Sequence, residues 1–443
     1  MSFAKASIAE TWQKLLQKPS SSLTRNISEV FAGDLVSRGI GAFTILLIIR
    51  GLPVNDYATY TAFWAVSTMI PALVGSGINM AVVRFSAEHI SKTNQKPLEL
   101  YMTAIAFEAS LYIALWIGLS LSGNAVSAVL FGKEVPPSAL YFGLAAGFGT
   151  LLLEAGRTAF QAEERFRRYI LTSWINQVSN FIIILVLFLA GLMTFERVAE
   201  VRTAISTFIG LTVVGGLLNG FRPRSILKFL KEKFDLVKDF IYSSSWLVGY
   251  FFILIAQQRL DVFFLSHFGT QMELANYGVA LQLYSLGVLV LGSINAVLLP
   301  KFSKLEMLDP AKQKEFSMKW LKKAVWVIIP LGLGDLVGKP LFVLVTSIKY
   351  AEAFQVFEVL TLGIWLSLMF SPLVNVILAR KGFRFLFSLS FVSLVVSIAG
   401  NFYLDRLWGG IGAAVTTLVA QNIVIQGFIF LKLSLSKANE INR

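Results

Sequence analysis

Long apolar segments dominate this sequence and limit the folds that are open to it. A helix needs roughly 20 apolar residues to cross about 30 Å of hydrocarbon. Soluble domains carry about 25% charged residues, whereas this chain of 443 residues is 15% charged and 56% hydrophobic. We therefore predict an all-α polytopic membrane protein. Its twelve transmembrane helices are expected near residues 27–49, 58–84, 100–121, 138–160, 170–192, 203–220, 241–265, 277–300, 321–346, 352–378, 384–404 and 411–432.

The positive charge of the chain is distributed unevenly between the predicted loops. Of the 39 Lys and Arg residues, 30 fall on the side of the two termini, seven fall on the opposite side, and Arg38 and Arg259 fall inside spans. Cytoplasmic loops of membrane proteins carry an excess of Lys and Arg. Both termini are therefore predicted to be cytoplasmic, and the net charge of +13 reflects topology rather than nucleic-acid binding.

A basic segment divides the predicted spans into two sets of six. Residues 222–240 place apolar side chains at helical spacing among lysines, which is typical of an interfacial linker helix. We predict an N-lobe over 27–221, a C-lobe over 241–432, a cytoplasmic tail with an interfacial helix over 1–26, and a second tail over 433–443.

The two predicted lobes resemble each other. Tyr60 and "RFS" at 84–86 match Tyr277 and "KFS" at 301–303 at one common offset, and "AIST" at 204–207 matches "AVTT" at 414–417. Six spans in each lobe would give parallel repeats related by an axis along the membrane normal. Two lobes around a central cleft are typical of transporters.

Basic residues within or at the ends of spans are candidates for binding an anionic substrate. Guanidinium stays charged and binds phosphate through two parallel hydrogen bonds, so we select Arg38 and Arg259 as cavity residues, with buried ion pairs as the alternative. Arg84 and Lys301 end equivalent spans at the cytoplasmic face. They are candidates for substrate capture, or alternatively anchors at the membrane interface.

Acidic residues at depth are candidates for coupling to a proton or sodium gradient, because burial destabilises a charged carboxylate. These are Asp34, Asp261, Glu108 and Glu358. Asp34 and Arg38 share a helix face and can pair. Arg259 and Asp261 are roughly 200° apart on their helix, so one is expected to face the cleft and the other a neighbouring helix.

Glu154 and Arg157 are interpreted as a pair at the cytoplasmic rim. The chain has no P-loop, no HExxH and no GxSxG, and its outer loops are too short for a catalytic domain. We therefore expect a protein that is not an enzyme and that uses no cofactor or metal. With no cysteine, the chain forms no disulfide.

Several segments resemble the polysaccharide transporter branch (Wzx-type, O-antigen flippase-like) of the multidrug/oligosaccharidyl-lipid/polysaccharide exporter superfamily. The resemblance runs in order along nearly the whole chain. It is carried by "IIRGLPVNDYATYTAF" (Ile48–Phe63), "GSGINMAVVRF" (Gly75–Phe85), "QQRLDVFFLSHFG" followed by "YGVALQL" (257–283), "LLPKFSKL" (Leu298–Leu305), "ILARKGFR", Asn401 and "GGIGAAVTT" (Gly409–Thr417). Ala58 stands where glycine is usual in that branch.

The resemblance implies two six-helix bundles around a V-shaped cavity in the bacterial inner membrane. It implies a flippase that moves oligosaccharide on undecaprenyl diphosphate from the cytoplasmic to the outer leaflet for surface polysaccharide assembly, with proton or sodium coupling. Glycan polymerases and chain-length proteins are possible partners. Arg259 and Asp261 match the polar position of the family's seventh span, and Arg38 and Arg84 match its basic positions.

Four other functions stay open. A multidrug and toxin extruder of the same superfamily would favour carboxylates and aromatic residues in the cleft over arginines. A lipid II flippase typically adds two spans, and a membrane glycan polymerase or glycosyltransferase needs a large catalytic outer loop. A scaffolding membrane protein would need neither buried charges nor a duplicated lobe.

Overall fold

The computed structural model describes residues 22–93, 97–122, 124–218, 249–303, 337–379 and 382–435, with short runs at 246, 315, 318–322, 326 and 332. Its helices are α1 (Ser22–Gly51), α2 (Val54–Thr93), α3 (Leu98–Leu121), α4 (Asn124–Phe131), α5 (Ser138–Ala162), α6 (Phe166–Leu189), α7 (Phe195–Leu218), α8 (249–268), α9 (Gln271–Ser303), α10 (Lys339–Thr346), α11 (Ala353–Ala379), α12 (Phe383–Thr417) and α13 (Ile425–Leu435). A π-helical segment, Leu418–Val424, joins α12 to α13.

Within the described residues, seven helical runs are long and apolar enough to cross a membrane. The chain is therefore an all-helical, multi-pass membrane protein, while the number of twelve spans stays a prediction. Residues 1–21 of the predicted tail, the linker over 222–240, part of the ninth span and most of the last tail lie outside the described residues, and α1 begins at Ser22, inside the predicted tail. Helix α7 starts at Phe195, earlier than the predicted sixth span, and so includes Arg197 and Arg202.

The run from Phe383 to Lys432 is 50 residues long. A straight helix of that length would extend about 75 Å, more than twice the hydrocarbon thickness of about 30 Å. The chain instead reverses at Gly409, whose φ of 54° interrupts helical geometry. Ser393 Oγ donates to the Ala420 carbonyl over 2.7 Å, so the segments before and after the reversal lie side by side. The predicted turn between spans eleven and twelve is therefore a glycine kink.

The largest hydrophobic core lies at one end of the bundle, where α1 and α2 meet at Gly51. The charge distribution predicts that this end faces outside, and we name it the outer end. The core contains Ile48, Tyr57 and Phe195 from the first half together with Val262, Tyr277 and Tyr350 from the second half. Among the described residues, the clusters at the opposite end each stay within one half. The two halves therefore form a V that is closed at the outer end.

Polar contacts close the same end. Arg50 Nε donates to the Val345 carbonyl over 2.9 Å, and Lys349 Nζ donates to the Leu52 carbonyl over 2.6 Å. Burial lowers the pKa of the Lys349 ammonium. Gln271 Nε2 donates to the Glu134 carbonyl over 2.8 Å, and Glu134 Oε2 accepts from the Gln271 backbone N–H over 3.2 Å. Each of these contacts joins the first half to the second.

The matched tyrosines of the sequence repeat lie in similar surroundings. Tyr60 and Tyr277 are both buried, and each phenol forms a hydrogen bond with a charged side chain of its own half. Arg202 of α7 donates to Tyr60 Oη, while Tyr277 Oη donates to Asp261, which also accepts from Thr417 of α12. This similarity supports the prediction of two repeated lobes.

Candidate substrate-binding and coupling site

Arg259 of α8 lies half-buried at the seam between the two halves. Its guanidinium Cζ is 4.0 Å from the centroid of the Trp64 ring of α2, and its Nε donates to Thr68 Oγ1 over 3.4 Å. One of its terminal nitrogens donates to the Gln258 carbonyl over 3.1 Å. Among the residues that the structure describes, no carboxylate forms an ion pair with Arg259. The side chain thus holds a positive charge at the seam that pairs with no carboxylate of the described residues, and Asp261 acts on it only through longer-range electrostatics.

Asp261 points to the other side of α8, into the second half. Its carboxylate accepts hydrogen bonds from Tyr277 Oη, from the Val262 backbone N–H over 2.8 Å and from Thr417 Oγ1 over 3.4 Å. The side chain is 2% exposed. Arg259 therefore contacts α2 of the first half and Asp261 contacts α9 and α12, while the position of Arg259 in a cleft stays a prediction.

A row of polar side chains continues from Asp261 along α8 and α12. Gln257, one turn before Asp261, donates from Nε2 to Ser393 Oγ over 2.9 Å and to Ser397 Oγ over 3.3 Å. Gln421 of the π-helical segment donates to the Gln257 carbonyl over 3.3 Å. π-helical segments are frequent at functional sites, and this one borders the helix that carries Arg259.

The predicted pair of Asp34 and Arg38 is present in α1. The two side chains form an ion pair of 3.6 Å, with Arg38 48% exposed. The predicted rim pair is present as well, since Arg157 Nη1 lies 2.5 Å from Glu154 Oε1. Arg157 also stacks on Tyr169 with 4.2 Å between Cζ and the ring centroid. Asp34 is within electrostatic range of Arg157, so α1, α5 and α6 share one charged cluster.

The remaining candidates are scattered. Glu108 of α3 is 1% exposed and lies in the first half, away from Arg259. Glu358 is half-buried in α11. Arg84 and Lys301 lie in α2 and α9, and their side chains fall outside the described part of the chain. The structure therefore does not bring the candidate residues into a single site.

Sequence reasoning missed Asp405 and Trp64. Asp405 is 2% exposed, its two carboxylate oxygens have no hydrogen-bond partner among the described residues, and it is within electrostatic range of Asp261. Ser393, Ser397, Asn401 and Asp405 recur every fourth residue on one face of α12. That spacing was the available signal, because residues four apart lie on one helix face. An aromatic residue in an apolar span, such as Trp64, gives no comparable signal.

The described residues contain no group of three His, Asp or Glu side chains that could hold a metal ion. The chemistry that the charged residues offer is electrostatic: a cation at the seam, an ion-paired cluster in α1, α5 and α6, and buried carboxyl groups in both halves. Such groups suit binding of an anion and exchange of a proton or cation.

Comparisons with known proteins identify relatives of the sequence and of the fold. A family model described as "Polysaccharide biosynthesis protein" matches residues 23–306. No curated protein matches the sequence. The fold is similar to that of "Lipid II flippase MurJ, inward closed conformation", with a TM-score of 0.70 and 13% identity over 93% of this chain and 89% of that chain.

A second solved structure has a similar fold. Its title is "Inward-facing conformation of a multidrug resistance MATE family transporter of the MOP superfamily", with a TM-score of 0.64 and 15% identity over 89% of this chain and 94% of that chain. At these identities the likeness concerns the fold alone. It confirms the predicted all-α fold class.

Proposed function

The chain belongs to the polysaccharide biosynthesis protein family, whose model matches residues 23–306, and we propose that it is a flippase for lipid-linked oligosaccharides. The substrate we propose is an oligosaccharide on undecaprenyl diphosphate. It moves from the cytoplasmic to the outer leaflet of the bacterial inner membrane, where it supplies O-antigen, capsule or exopolysaccharide assembly. Both termini of the chain are cytoplasmic in this proposal.

The observation that carries the proposal is the position of Arg259. A guanidinium at the seam that forms no ion pair with a carboxylate of the described residues is suited to a diphosphate, because Arg binds phosphate oxygens through paired N–H groups. Asp261 does not neutralise Arg259 directly, since its carboxylate is occupied by Tyr277, Thr417 and its own backbone. Trp64 adds a ring against which the guanidinium stacks.

Arg38 supplies a second positive charge nearer the cytoplasm. At about 1.5 Å per residue, it lies roughly 20 Å from Gly51 along α1. We propose that the diphosphate meets Arg84 and Lys301 at the cytoplasmic rim, then Arg38, and then Arg259. An anion that bound the exposed guanidinium of Arg38 would compete with the carboxylate of Asp34, which forms an ion pair with it.

Transport by alternating access requires the outer end to open. The closed end seen here suits loading from the cytoplasm, and release requires breaking the Arg50, Lys349 and Glu134–Gln271 contacts. We propose that a proton or sodium gradient drives this cycle, with Asp34, Asp261, Glu108 and Glu358 as coupling candidates. The protein acts as a transporter rather than an enzyme, without a cofactor, beside the polymerase and chain-length proteins that use its product.

Native mass spectrometry of the full chain, gently extracted from its own membrane, tests the proposal. We expect the wild type to retain a polyprenyl-diphosphate glycan and the Arg259→Ala variant to lose most of it. Losing a charge-assisted contact costs about 1.5–3 kcal/mol, which corresponds to roughly 10- to 150-fold in affinity.

Arg406→Ala is the matched control. Arg406 also stacks on aromatic rings, at 4.1 Å from Phe268 and 4.0 Å from Phe402, but it lies at the outer end. We expect this variant to retain the lipid. If the wild type retains no such lipid and binds cationic dyes instead, the protein is a multidrug exporter. Equal retention by both arginine variants and the wild type would assign Arg259 a structural role.

A further inference from the structure

Among the four predicted coupling candidates, Glu108 is the one that is deeply buried with no hydrogen-bond partner among the described residues, a property that it shares with Asp405. Glu108 is 1% exposed, and neither Oε1 nor Oε2 has a hydrogen-bond partner among the described residues. Asp34 pairs with Arg38, and Asp261 accepts three hydrogen bonds. An unpaired carboxylate in a low-dielectric interior is strongly unfavourable, so this conformation favours the neutral acid.

Gly75 and Asn79 of α2 lie beside the carboxyl group of Glu108. A Cβ atom on Gly75 of α2 would lie 3.1 Å from Asn79 Nδ2, 3.3 Å from Leu151 Cδ1 and 3.5 Å from Glu108 Oε2. The amide of Asn79 and the carboxyl of Glu108 thus both border the position of a Cβ atom on Gly75, and this position is too tightly packed for a side chain unless Asn79 shifts. A deprotonated Glu108 would gain a donor by moving toward Asn79.

Among the described side chains of α2 and α5, which pack against α3, no cation pairs with Glu108, and the side chain of Arg84 in α2 lies outside the described residues. In α2 between 54 and 83, the titratable residues are Asp56, Tyr57 and Tyr60, all near the outer end, where Asp56 accepts from the Phe195 backbone N–H. In α5 they are Tyr141 near the outer end and Glu154 and Arg157, which pair with each other. On α3 itself, Tyr112 Oη donates to the Leu144 carbonyl over 2.8 Å. The charge state of Glu108 therefore depends on its local solvation.

Helix α2 lacks one backbone hydrogen bond close to Gly75. Pro71 lies inside α2, and because proline has no N–H it cannot bond the carbonyl four residues earlier. Trp64 and Thr68, the contacts of Arg259, lie on the outer side of Pro71, while Gly75 and Asn79 lie on the inner side. A change of bend at Pro71 would thus move the contacts of Arg259 relative to Glu108.

We propose that Glu108 is a proton-binding site in the first half, and that proton uptake and release there change the bend of α2 between Pro71 and Gly75. This proposal rests on the proposed transport function and names its driving ion as the proton. Protonated Glu108 stabilises the closed outer end seen here. Deprotonated Glu108 draws Asn79 toward α3 and loosens the contact of Trp64 with Arg259.

Infrared difference spectroscopy of the full chain in lipid nanodiscs, between acidic and alkaline buffer, tests the site without any substrate. We expect the wild type to show the carbonyl-stretch band of a buried protonated carboxyl that disappears in alkali. Because Asp405 is also buried without a partner among the described residues, every sample carries Asp405→Asn, and in this background Glu108→Gln, which has nearly the same shape as Glu108, should lose this band. Glu99→Gln removes an exposed acid of the same helix and should keep it. Gly75→Ala places a methyl group beside Asn79 and Glu108 and hinders their approach, so the Glu108 band of this variant should persist to higher pH than in the wild type.

The bend is measured in the same samples. Because the chain has no cysteine, spin labels can be placed at Asn55→Cys and Met80→Cys, on either side of Pro71. We expect the distance between the labels to change with pH in the wild type and in Glu99→Gln, and to stay at its acidic value in Glu108→Gln. A band that survives in Glu108→Gln, or a pH-dependent distance that is the same in Glu108→Gln and wild type, would overturn the proposal. Either result would leave the flippase function intact, because no substrate enters these measurements.

Discussion

Thr61 and Gly278 face each other across the seam between the two halves, at positions separated by the same offset of 217 that relates Tyr60 to Tyr277. A Cβ atom on Gly278 would overlap Thr61 Oγ1. Equivalent residues of two repeats can touch only close to the axis that relates them. The contact lies where the axis of the predicted repeat would cross the seam, and it explains why glycine stands at 278: the two helices approach too closely for a side chain.

A larger residue at 278 should open the outer end. Overpacking a close contact costs about 1–3 kcal/mol, so Gly278→Val should shift the population toward outer-open molecules by roughly 5- to 150-fold. Labelling of Ala58→Cys, which is buried at the seam, by a membrane-impermeant maleimide measures the shift. Gly118→Val is the control, because Gly118 has open space around it. Equal protection of Ala58→Cys in both valine variants would contradict the role of this contact.

The reversal at Gly409 should tolerate no side chain. Its φ of 54° costs an L-residue about 1–2 kcal/mol, and a Cβ would also overlap the Glu273 carboxyl group. Gly191 has a similar φ of 67° but open space around it, so Gly191→Ala introduces backbone strain without a steric overlap. We expect Gly409→Ala to lower the thermal unfolding temperature clearly more than Gly191→Ala does. Adding Glu273→Ala should recover part of the difference. No recovery would show that Glu273 does not restrict this turn.

The two buried aspartates of the second half should respond in opposite ways to substitution by Asn. Asp261 accepts three hydrogen bonds, so Asp261→Asn should destabilise the protein by about 1–3 kcal/mol. Asp405 has no partner among the described residues, so Asp405→Asn replaces an uncompensated carboxylate by an uncharged amide, which costs less to bury, and should raise the unfolding temperature. A loss of stability in Asp405→Asn would reveal a bound cation or proton donor at that carboxylate.

The sequence predicted those parts of the site that depend on spacing within one helix. The pair of Asp34 and Arg38, four residues apart, and the opposite facings of Arg259 and Asp261, two residues apart, follow from helix geometry alone. Contacts between helices could not be predicted in this way. Trp64 lies against Arg259 because α2 and α8 cross, and the crossing is set by packing that no local pattern records.

Asp405 was missed for a different reason. Residues 405–410 looked like a loop because a charged pair and two glycines end an apolar run, and a loop residue would be solvated. In the structure the helix continues to Gly409, which keeps Asp405 in register with Asn401 and therefore buried. The positive φ of Gly409, rather than a loop, allows the chain to reverse. The backbone conformation of Gly409 thus allows the helix to continue past Asp405 and keeps this side chain buried.

Transbilayer movement of a fluorescent polyprenyl-diphosphate oligosaccharide in proteoliposomes tests the account most directly. The double variant Glu134→Cys and Gln271→Cys replaces a contact that closes the outer end, in a chain with no other cysteine. We predict that the reduced variant moves the lipid as the wild type does, and that oxidation to the disulfide stops movement until a reductant is added. Movement at the full rate in the oxidised, cross-linked protein would contradict transport through opening of the outer end.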